Sequence, residues 1–415
     1  MAAEGLKPRR AAFIFIFVTV ALDMLALGII IPVLPKLIES FVEGDTVRAA
    51  ELVGLFGTAW ATMQFLFSPV LGALSDRFGR RPIVLLSNLG LGLDYILMAM
   101  APALSWLFLG RLISGITAAS IATAGAYIAD VSPPEKRAQN FGMLGAAFGI
   151  GFILGPAIGG ILGSYDVRYP FWAAAFMSLA NFAYGLLVLP ESLKPENRSH
   201  FLWAKANPLG SVRLLIRHHE LWGLGLVTFL SQLAHTSLPA IYVLYAGYRY
   251  GWGPVQVGLL LAGIGVASMV VQGGLVRPIV RRIGEPRALL LGLACASAGL
   301  TWYGIAWTGA LAWIGVPIAA FWGLYNATSQ SLMSQRVSAA EQGQLQGAAS
   351  SITAMAGIIG PALFANVFAR SIDPAYGFNL PGLGFWLAGF VLLAALLLAG
   401  FLTRRSHPQD NPSTD

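Results

Sequence analysis

The chain has 415 residues, of which 56% are hydrophobic and 11% charged, with a formal net charge of +7. A soluble domain carries about 25% charged residues, so this composition excludes an ordinary water-soluble enzyme and points to a polytopic membrane protein. The single cysteine, Cys295, excludes an internal disulfide and a cysteine-built metal site.

Apolar stretches near the bilayer-crossing length of about 20 residues recur twelve times. They fall at 11–34, 52–74, 82–101, 104–128, 138–162, 171–190, 221–247, 255–277, 287–307, 311–335, 344–369 and 384–403. The expectation is an all-α membrane protein of twelve transmembrane helices. The first stretch is too long, and too poorly followed by small residues, to be a removable signal peptide. Of 26 Lys and Arg residues, 20 lie at the termini or after even-numbered spans. Lys36, Arg48, Arg168, Arg249 and Arg370 lie on the other side, and Arg111 lies within a span. By the positive-inside rule both termini are cytoplasmic. Topology accounts for the basic residues, and no nucleic-acid partner is expected.

In chain order, the first polar intrusion is Asp23 in the first span. Asp94 in the third and Arg111 in the fourth complete the set of buried ionisable residues. Each costs about 2.5–3.5 kcal/mol at a helix centre, so they face an internal cavity, pair with one another or carry protons. An aspartate whose arginine partner comes and goes between conformations would bind and release a proton. A permanent buried ion pair is the structural alternative. Gln64, Asn88, Gln232, Asn326 and Gln330 are polar candidates for lining a substrate cavity, or for bonding helix to helix. Tyr242, Tyr245, Trp322 and Tyr325 are aromatic candidates for packing an amphipathic ligand.

The fifth span carries Gly142, Gly151, Gly155, Pro156, Gly159 and Gly160, spaced G-x8-G-x3-G-P-x2-G-G. Each glycine costs a helix roughly 1 kcal/mol relative to alanine. In lipid the return is close backbone approach between helices, as a rocking transporter needs between its moving parts. Residues 191–219 break the apolar pattern between spans six and seven. They divide the chain into a first half, 1–190, and a second, 220–405, with a short polar tail, 406–415, expected to be disordered. The halves echo each other. Gly155-Pro156 recurs as Gly360-Pro361 at an offset of 205 residues, and the Gly72 loop recurs in degenerate form around Gly274–Gly284 at an offset of 202. These offsets argue for duplication of a six-helix unit around a midplane cavity.

Between spans two and three stands Gly72-Ala73-Leu74-Ser75-Asp76-Arg77-Phe78-Gly79-Arg80-Arg81. This resembles the G-x-L-x-D-R-x-G-R-R pattern of the major facilitator superfamily, in which the loop acts as a conformational latch. Gly72 and Gly79 suit tight turns, Asp76 suits a helix N-terminus, and Arg80 and Arg137 are its candidate ion partners. The match is closer still to bacterial tetracycline/proton antiporters. It runs through Leu22-Asp23 to Gly28, Pro32–Pro35, Ser75–Pro82, Leu93-Asp94-Tyr95, Gly110–Thr117, Ile128-Ala129-Asp130, Arg137 and the glycine run. In the second half it continues through Gly251-Trp252, Leu261–Gly263, Gln342–Gly347 and Ile359–Pro361.

The resemblance implies export of a drug-like small molecule in exchange for protons across a bacterial inner membrane, by a carrier working as a monomer. The glycine run argues for efflux over uptake. Export of another drug or a metabolite by the same exchange is the alternative. Members of that family carry a histidine in span eight and an aspartate in span nine. Here those positions are Ser268 and Ala296. His235, in span seven, is the candidate for the displaced role, since imidazole titrates near neutral pH; packing against a neighbouring helix is its other reading. No cofactor is expected, and the sequence has no phosphate-binding glycine loop of the Walker type.

Overall fold

A computed structural model describes residues 6–118, 120–133, 136–198, 219–338 and 341–405. Regular structure among the described residues is entirely helical. The first half contains α1 (Leu6–Ile30), α2 (Leu34–Ser40), α3 (Thr46–Phe78), α4 (Arg80–Ala99), α5 (Leu104–Thr117), α6 (Ser120–Val131), α7 (Arg137–Tyr165) and α8 (Tyr169–Val188). The second contains α9 (His219–His235), α10 (Ser237–Tyr250), α11 (Pro254–Val270), α12 (Val276–Ile283), α13 (Glu285–Ile305), α14 (Gly309–Ala320), α15 (Trp322–Ser334), α16 (Gln342–Ile372) and α17 (Leu383–Arg405). Among the described residues, ten helical stretches are long and apolar enough to cross a membrane. The second expected span is the 33-residue α3, and the fourth is divided between α5 and α6. All twelve expected spans thus fall on helix. Of the expected connection 191–219, residues 199–218 lie outside the described residues, as does the tail 406–415.

Interruptions in the helices follow from local chemistry. Proline lacks the amide donor that continues a helix, and α1 gives way to α2 around Pro32 and Pro35. Pro69, Pro156, Pro317 and Pro361 lie inside α3, α7, α14 and α16. The eighth span runs past its expected end to Ile283, through a π-helical turn at Val271–Leu275 that contains Gly273 and Gly274. Arg168, just ahead of α8, donates to the carbonyls of Ala99 at 2.8 Å and Ala101 at 3.0 Å. A cation there satisfies acceptors that the end of α4 leaves without intrahelical partners.

The glycine run does its packing on two sides of α7. Gly151, Gly155 and Gly159 lie against the backbone of Met24, Gly28 and Ile29 on α1, and Gly160 lies against Pro254 and Val255 of α11. Gly258 of α11 packs in turn onto Pro156. α7 therefore joins its own half to the other half through glycine-lined contacts in which backbones touch, with Ile153 and Met269 side chains seated against Gly265 and Gly149. A second seam joins α3 to α16. Gly54 packs on Pro361 and Ala365, Gly57 packs on Pro361, and Thr58 Oγ1 donates to the Ile358 carbonyl at 2.9 Å.

Both seams lie away from the end that carries Arg77, Arg80 and Arg81. At that basic end Gly142, Gly145, Gly273 and Gly274 have no neighbour within 4 Å, and Phe141 and Met143 are exposed. The halves are closed together at one end and parted at the basic end. Gly142 is accordingly not part of the close-packed spine that the sequence spacing implies, because the helices diverge before reaching it.

Two substitutions within the glycine run should separate these roles. Gly159→Ala places a Cβ on the Ile29 backbone, and overpacking of this kind costs about 1–3 kcal/mol. Its unfolding temperature in detergent should fall. Gly142→Ala meets open space and should unfold at or above the wild-type temperature. Equal effects at the two positions would show that the run is not packed as described.

Candidate functional site

Three helices of the first half bring polar groups together in its interior. Asp23 of α1, Asn88 of α4 and Asn181 of α8 are 5%, 0% and 0% exposed. Asn181 Nδ2 donates to Asp23 Oδ1 at 2.8 Å and to the Thr19 carbonyl at 2.9 Å. Turning Nδ2 of Asn88 toward Asp23 matches donors to acceptors here, and keeps it from facing Nδ2 of Asn181. Oriented so, it donates to both carboxylate oxygens, at 3.0 and 3.2 Å, and Asn88 Oδ1 accepts from Asn181 Nδ2 at 3.1 Å. The expectation that Asn88 lines a substrate cavity does not hold in this conformation, since its carboxamide is spent on Asp23.

Asp94 has a different setting. It is 1% exposed, and neither carboxyl oxygen makes a hydrogen bond of normal geometry, although the Ser114 hydroxyl of α5 lies beside it. Its charged neighbour is Arg111 of α5, yet no direct ion pair joins them. The Arg111 guanidinium instead stacks over the Trp60 ring of α3, 5.2 Å from its centroid, and its Nε has no partner. Gly110 leaves the space beside Asp94 empty of side chain; a Cβ there would stand 2.7 Å from Asp94 Oδ1. The structure thus holds one bonded carboxyl and one bare one within the same six-helix unit.

The facing wall of the second half carries no carboxyl group within α13 except Glu285 at its first residue. Ala296 is fully buried and Ser268 half-buried. His235 is exposed at the end of α9 and meets the Trp322 ring edge-on, with centroids 5.2 Å apart. Trp322 is mostly buried and its indole donates to Ser231 Oγ at 3.0 Å, so it braces His235 and offers little free face. Gln64 and Gln232 are half-buried, while Asn326 and Gln330 are exposed. Tyr242 does not present itself to a ligand. It is 0% exposed, packed among Tyr245, Tyr303 and Phe385 in an aromatic core. Tyr245 and Tyr325 are likewise buried. At the basic mouth a recess of about 440 Å³ is lined by Arg277, Arg281, Glu285, Thr328 and Ser331 among others.

The Gly72–Arg81 loop is a continuation of α3 that turns sharply into α4 at Gly79, whose φ of 109° only glycine adopts readily. Arg80 forms ion pairs with Asp76 and, at 3.2 Å, with Asp130 of α6, and it donates to Ser75 Oγ at 3.2 Å. Arg77 lies over the Phe78 ring at 5.1 Å. Gly72 sits within α3 and not at a turn, and a side chain there would have no neighbour within 4 Å. The side chain of Arg137 lies outside the described residues. Glu191, unremarked in the sequence, closes the arrangement: its carboxylate accepts from the amides of Arg80 at 2.8 Å and Arg81 at 3.2 Å. That places a negative charge on the open N-terminus of α4. Ser192 donates to Asp130 at 3.0 Å, and Arg81 to the Leu186 carbonyl at 2.6 Å. The signal for Glu191 was faint, one of two acids, with Glu196, in an otherwise basic connection. For Asn181 it was a single amide in an apolar span.

Residues 16–361 match the Major Facilitator Superfamily. The chain belongs to that superfamily. The tetracycline resistance protein of class C from Escherichia coli is 37% identical over 388 residues, covering 94% of this chain and 96% of its own length. The class H protein from Pasteurella multocida is 35% identical over 402 residues, with 95% and 96% covered. The human organic anion transporter MFSD10 (TETRAN) superimposes with a TM-score of 0.70 at 25% identity, covering 94% of this chain and 99% of its own. The nucleoside transporter NupG reaches a TM-score of 0.77 at 11% identity, with 95% and 99% covered, a likeness of fold alone. The twelve-helix plan in two six-helix halves is therefore that of a superfamily transporter.

Removing the Glu191 carboxylate should loosen the turn at Gly79. Glu191→Ala leaves the first amides of α4 without their acceptor, and losing a helix cap costs about 0.5–2 kcal/mol. Hydrogen exchange at Arg80 and Arg81 should accelerate while the rest of α4 stays protected. Unchanged exchange at those amides would mean that another group caps this helix.

Proposed function

We propose that this protein exports a tetracycline-like or related amphipathic drug from the bacterial cytoplasm in exchange for protons, by alternating access between its two halves. Asp94 is the observation that carries the reading. A carboxylate in that position, where Ser114 offers a hydroxyl but no geometrically formed hydrogen bond, would cost several kcal/mol more than the neutral acid. A group that is stable there only with its proton, beside an uncommitted arginine, is suited to exchange that proton. Relatives of classes B, C, D, E, G and H are all tetracycline resistance proteins by name, and they supply the substrate class. The positive-inside rule puts the open, basic mouth in the cytoplasm.

In this cycle the drug enters from the cytoplasm between the parted ends of α7 and α12 and settles against Gln64, Gln232, His235, Asn326 and Gln330. Its arrival draws Arg111 off Trp60 and onto Asp94, the ion pair favours the carboxylate, and the proton leaves to the cytoplasm. The halves then rock about the α7 and α3–α16 seams, with the Asp76–Arg80–Asp130 cluster holding the turn at the mouth. Drug release outside frees Asp94 to be reprotonated, and the neutral acid permits the return. One charge crossing 100 mV supplies about 2.3 kcal/mol, enough for roughly a fortyfold drug gradient at 1.4 kcal/mol per decade. The carrier works as a monomer with a cavity of its own.

Reconstituted vesicles test this directly. Tetracycline added to wild-type protein should drive proton movement reported by a trapped pH dye. Asp94→Asn should lose that movement entirely while retaining exchange of labelled for unlabelled drug. Normal proton movement from the variant would remove Asp94 from the mechanism. A wild-type protein that moves protons with phenicols, quinolones or dyes but not tetracyclines would keep the exchange and change the cargo.

A further inference from the structure

Asp23 and Asp94 are both buried and belong to the same half, yet their surroundings are opposite. Around Asp23 the two carboxamides close a ring. Asn181 Nδ2 and Asn88 Nδ2 both reach Oδ1, Asn88 Nδ2 also reaches Oδ2, and Asn88 Oδ1 turns back to Asn181. Both carboxyl oxygens of Asp23 therefore face N–H donors, and hydrogen bonds to an ionised acceptor are about twice as strong as neutral ones. Asp94 has the reverse, two buried oxygens without a hydrogen bond of normal geometry.

We propose that Asn88 and Asn181 are positioning residues that keep Asp23 permanently ionised as a fixed charge at the junction of α1, α4 and α8, so that Asp94 alone carries the exchanged proton. Among the described residues, the elements packed on α1 bring few other groups that titrate. From α4 the Tyr95 hydroxyl feels Asp23, Asp94 and Arg111 together. From α7 the facing residues are glycines, Gly151, Gly155 and Gly159. From α6 come Thr123 and Tyr127, and from α8 Ser178 and Tyr184, the last edge-on to Phe15 of α1, so that only the two tyrosines titrate. Tyr127 is turned to the basic end, where its hydroxyl donates to the Pro190 carbonyl at 2.8 Å. The three carboxamide contacts on Asp23 favour its charged form. The fixed charge would hold Asn88 and Asn181 to it in every state, tying three spans into one rigid body.

This division of labour rests on the proton-exchange reading, but its test does not need transport. Infrared spectra of the purified protein in lipid, taken across a pH series, report the carbonyl band of a protonated buried carboxyl. The wild type should show one such band, absent from Asp94→Asn and unchanged in Asp23→Asn. Asn181→Ala should add a second band, and Asn181→Ala combined with Asp23→Asn should lose it again. Asn88→Ala gives the same readout by an independent route where Asn181→Ala does not fold. A wild-type band that disappears in Asp23→Asn, or asparagine variants that fold and add no band, would overturn the assignment. Loss of drug-driven proton movement with the bands as described would instead fault the transport reading.

Discussion

Hydrocarbon offers no partner to a polar group, and that constraint orders this molecule. Every polar side chain drawn into the interior must be neutral, fully bonded, or functional. The bonded solution is Asp23 with Asn88 and Asn181. The unbonded one is Asp94, 1% exposed with both oxygens bare. Between them Arg111 is left stacked on Trp60 without closing on Asp94. An interior with spare charge on one side and a spare carboxyl on the other has a lower-energy arrangement within reach, and it is reached only by moving a proton. In the proposed cycle the protein uses that stored asymmetry as its coupling.

In the proposed cycle, movement depends on packing in which glycines bring backbones together and few side chains interlock. α7 meets α1 and α11 through Gly155, Gly159, Gly160 and Gly258, where backbones touch. Interdigitated side chains resist sliding because a well-packed core has discrete arrangements. A glycine-lined seam has few knobs to lift out of their holes, so in the proposed cycle the halves pivot there with little repacking. The same helix is open around Gly142 at the basic end, so a single element holds both the pivot and the swinging lip. The π-helical turn at Val271–Leu275 places a second break in the facing span at that lip, in keeping with the frequent use of such turns at functional sites.

Much of this was legible in the chain because it depends on local pattern. Span length, the glycine spacing and the Gly72–Arg81 turn are properties of a few dozen consecutive residues. What stayed hidden depended on helix rotation and on partners far along the chain. Asn88 and Tyr242 both read as candidate cavity residues, yet rotation within the bundle turns Asn88 onto Asp23 and sinks Tyr242 among Tyr303 and Phe385. Hydropathy cannot separate these outcomes, since a polar residue in a span is costly on any face. Glu191 lies over a hundred positions from the amides it accepts from, and no periodicity links the two. The reach of the glycine run was overestimated at Gly142 for a related reason, because a sequence does not say where two helices part.

Duplication is visible in the backbone and abandoned in the chemistry. Gly79 and Gly284 stand 205 residues apart, the offset that also relates the two Gly-Pro pairs, and both hold a left-handed turn ahead of a span, with φ/ψ of 109°/162° and 79°/161°. In the first half the carboxylate at that turn is borrowed from Glu191, at the root of the connection to the second half. In the second half it is Glu285 on the helix itself, engaged by Ser331 at 2.8 Å and Gln335 at 3.1 Å. The first-half turn is therefore tied to the connection between halves, and the second-half turn is tied to its neighbour α15. The buried carboxyls follow the same asymmetry, with Asp23 and Asp94 both in the first half. In the proposed cycle the turn that responds to a shift of one half against the other is therefore the one held by Glu191, Arg80 and Asp130. On that reading, coupling and gating fall to the same half, the one that holds Asp23 and Asp94.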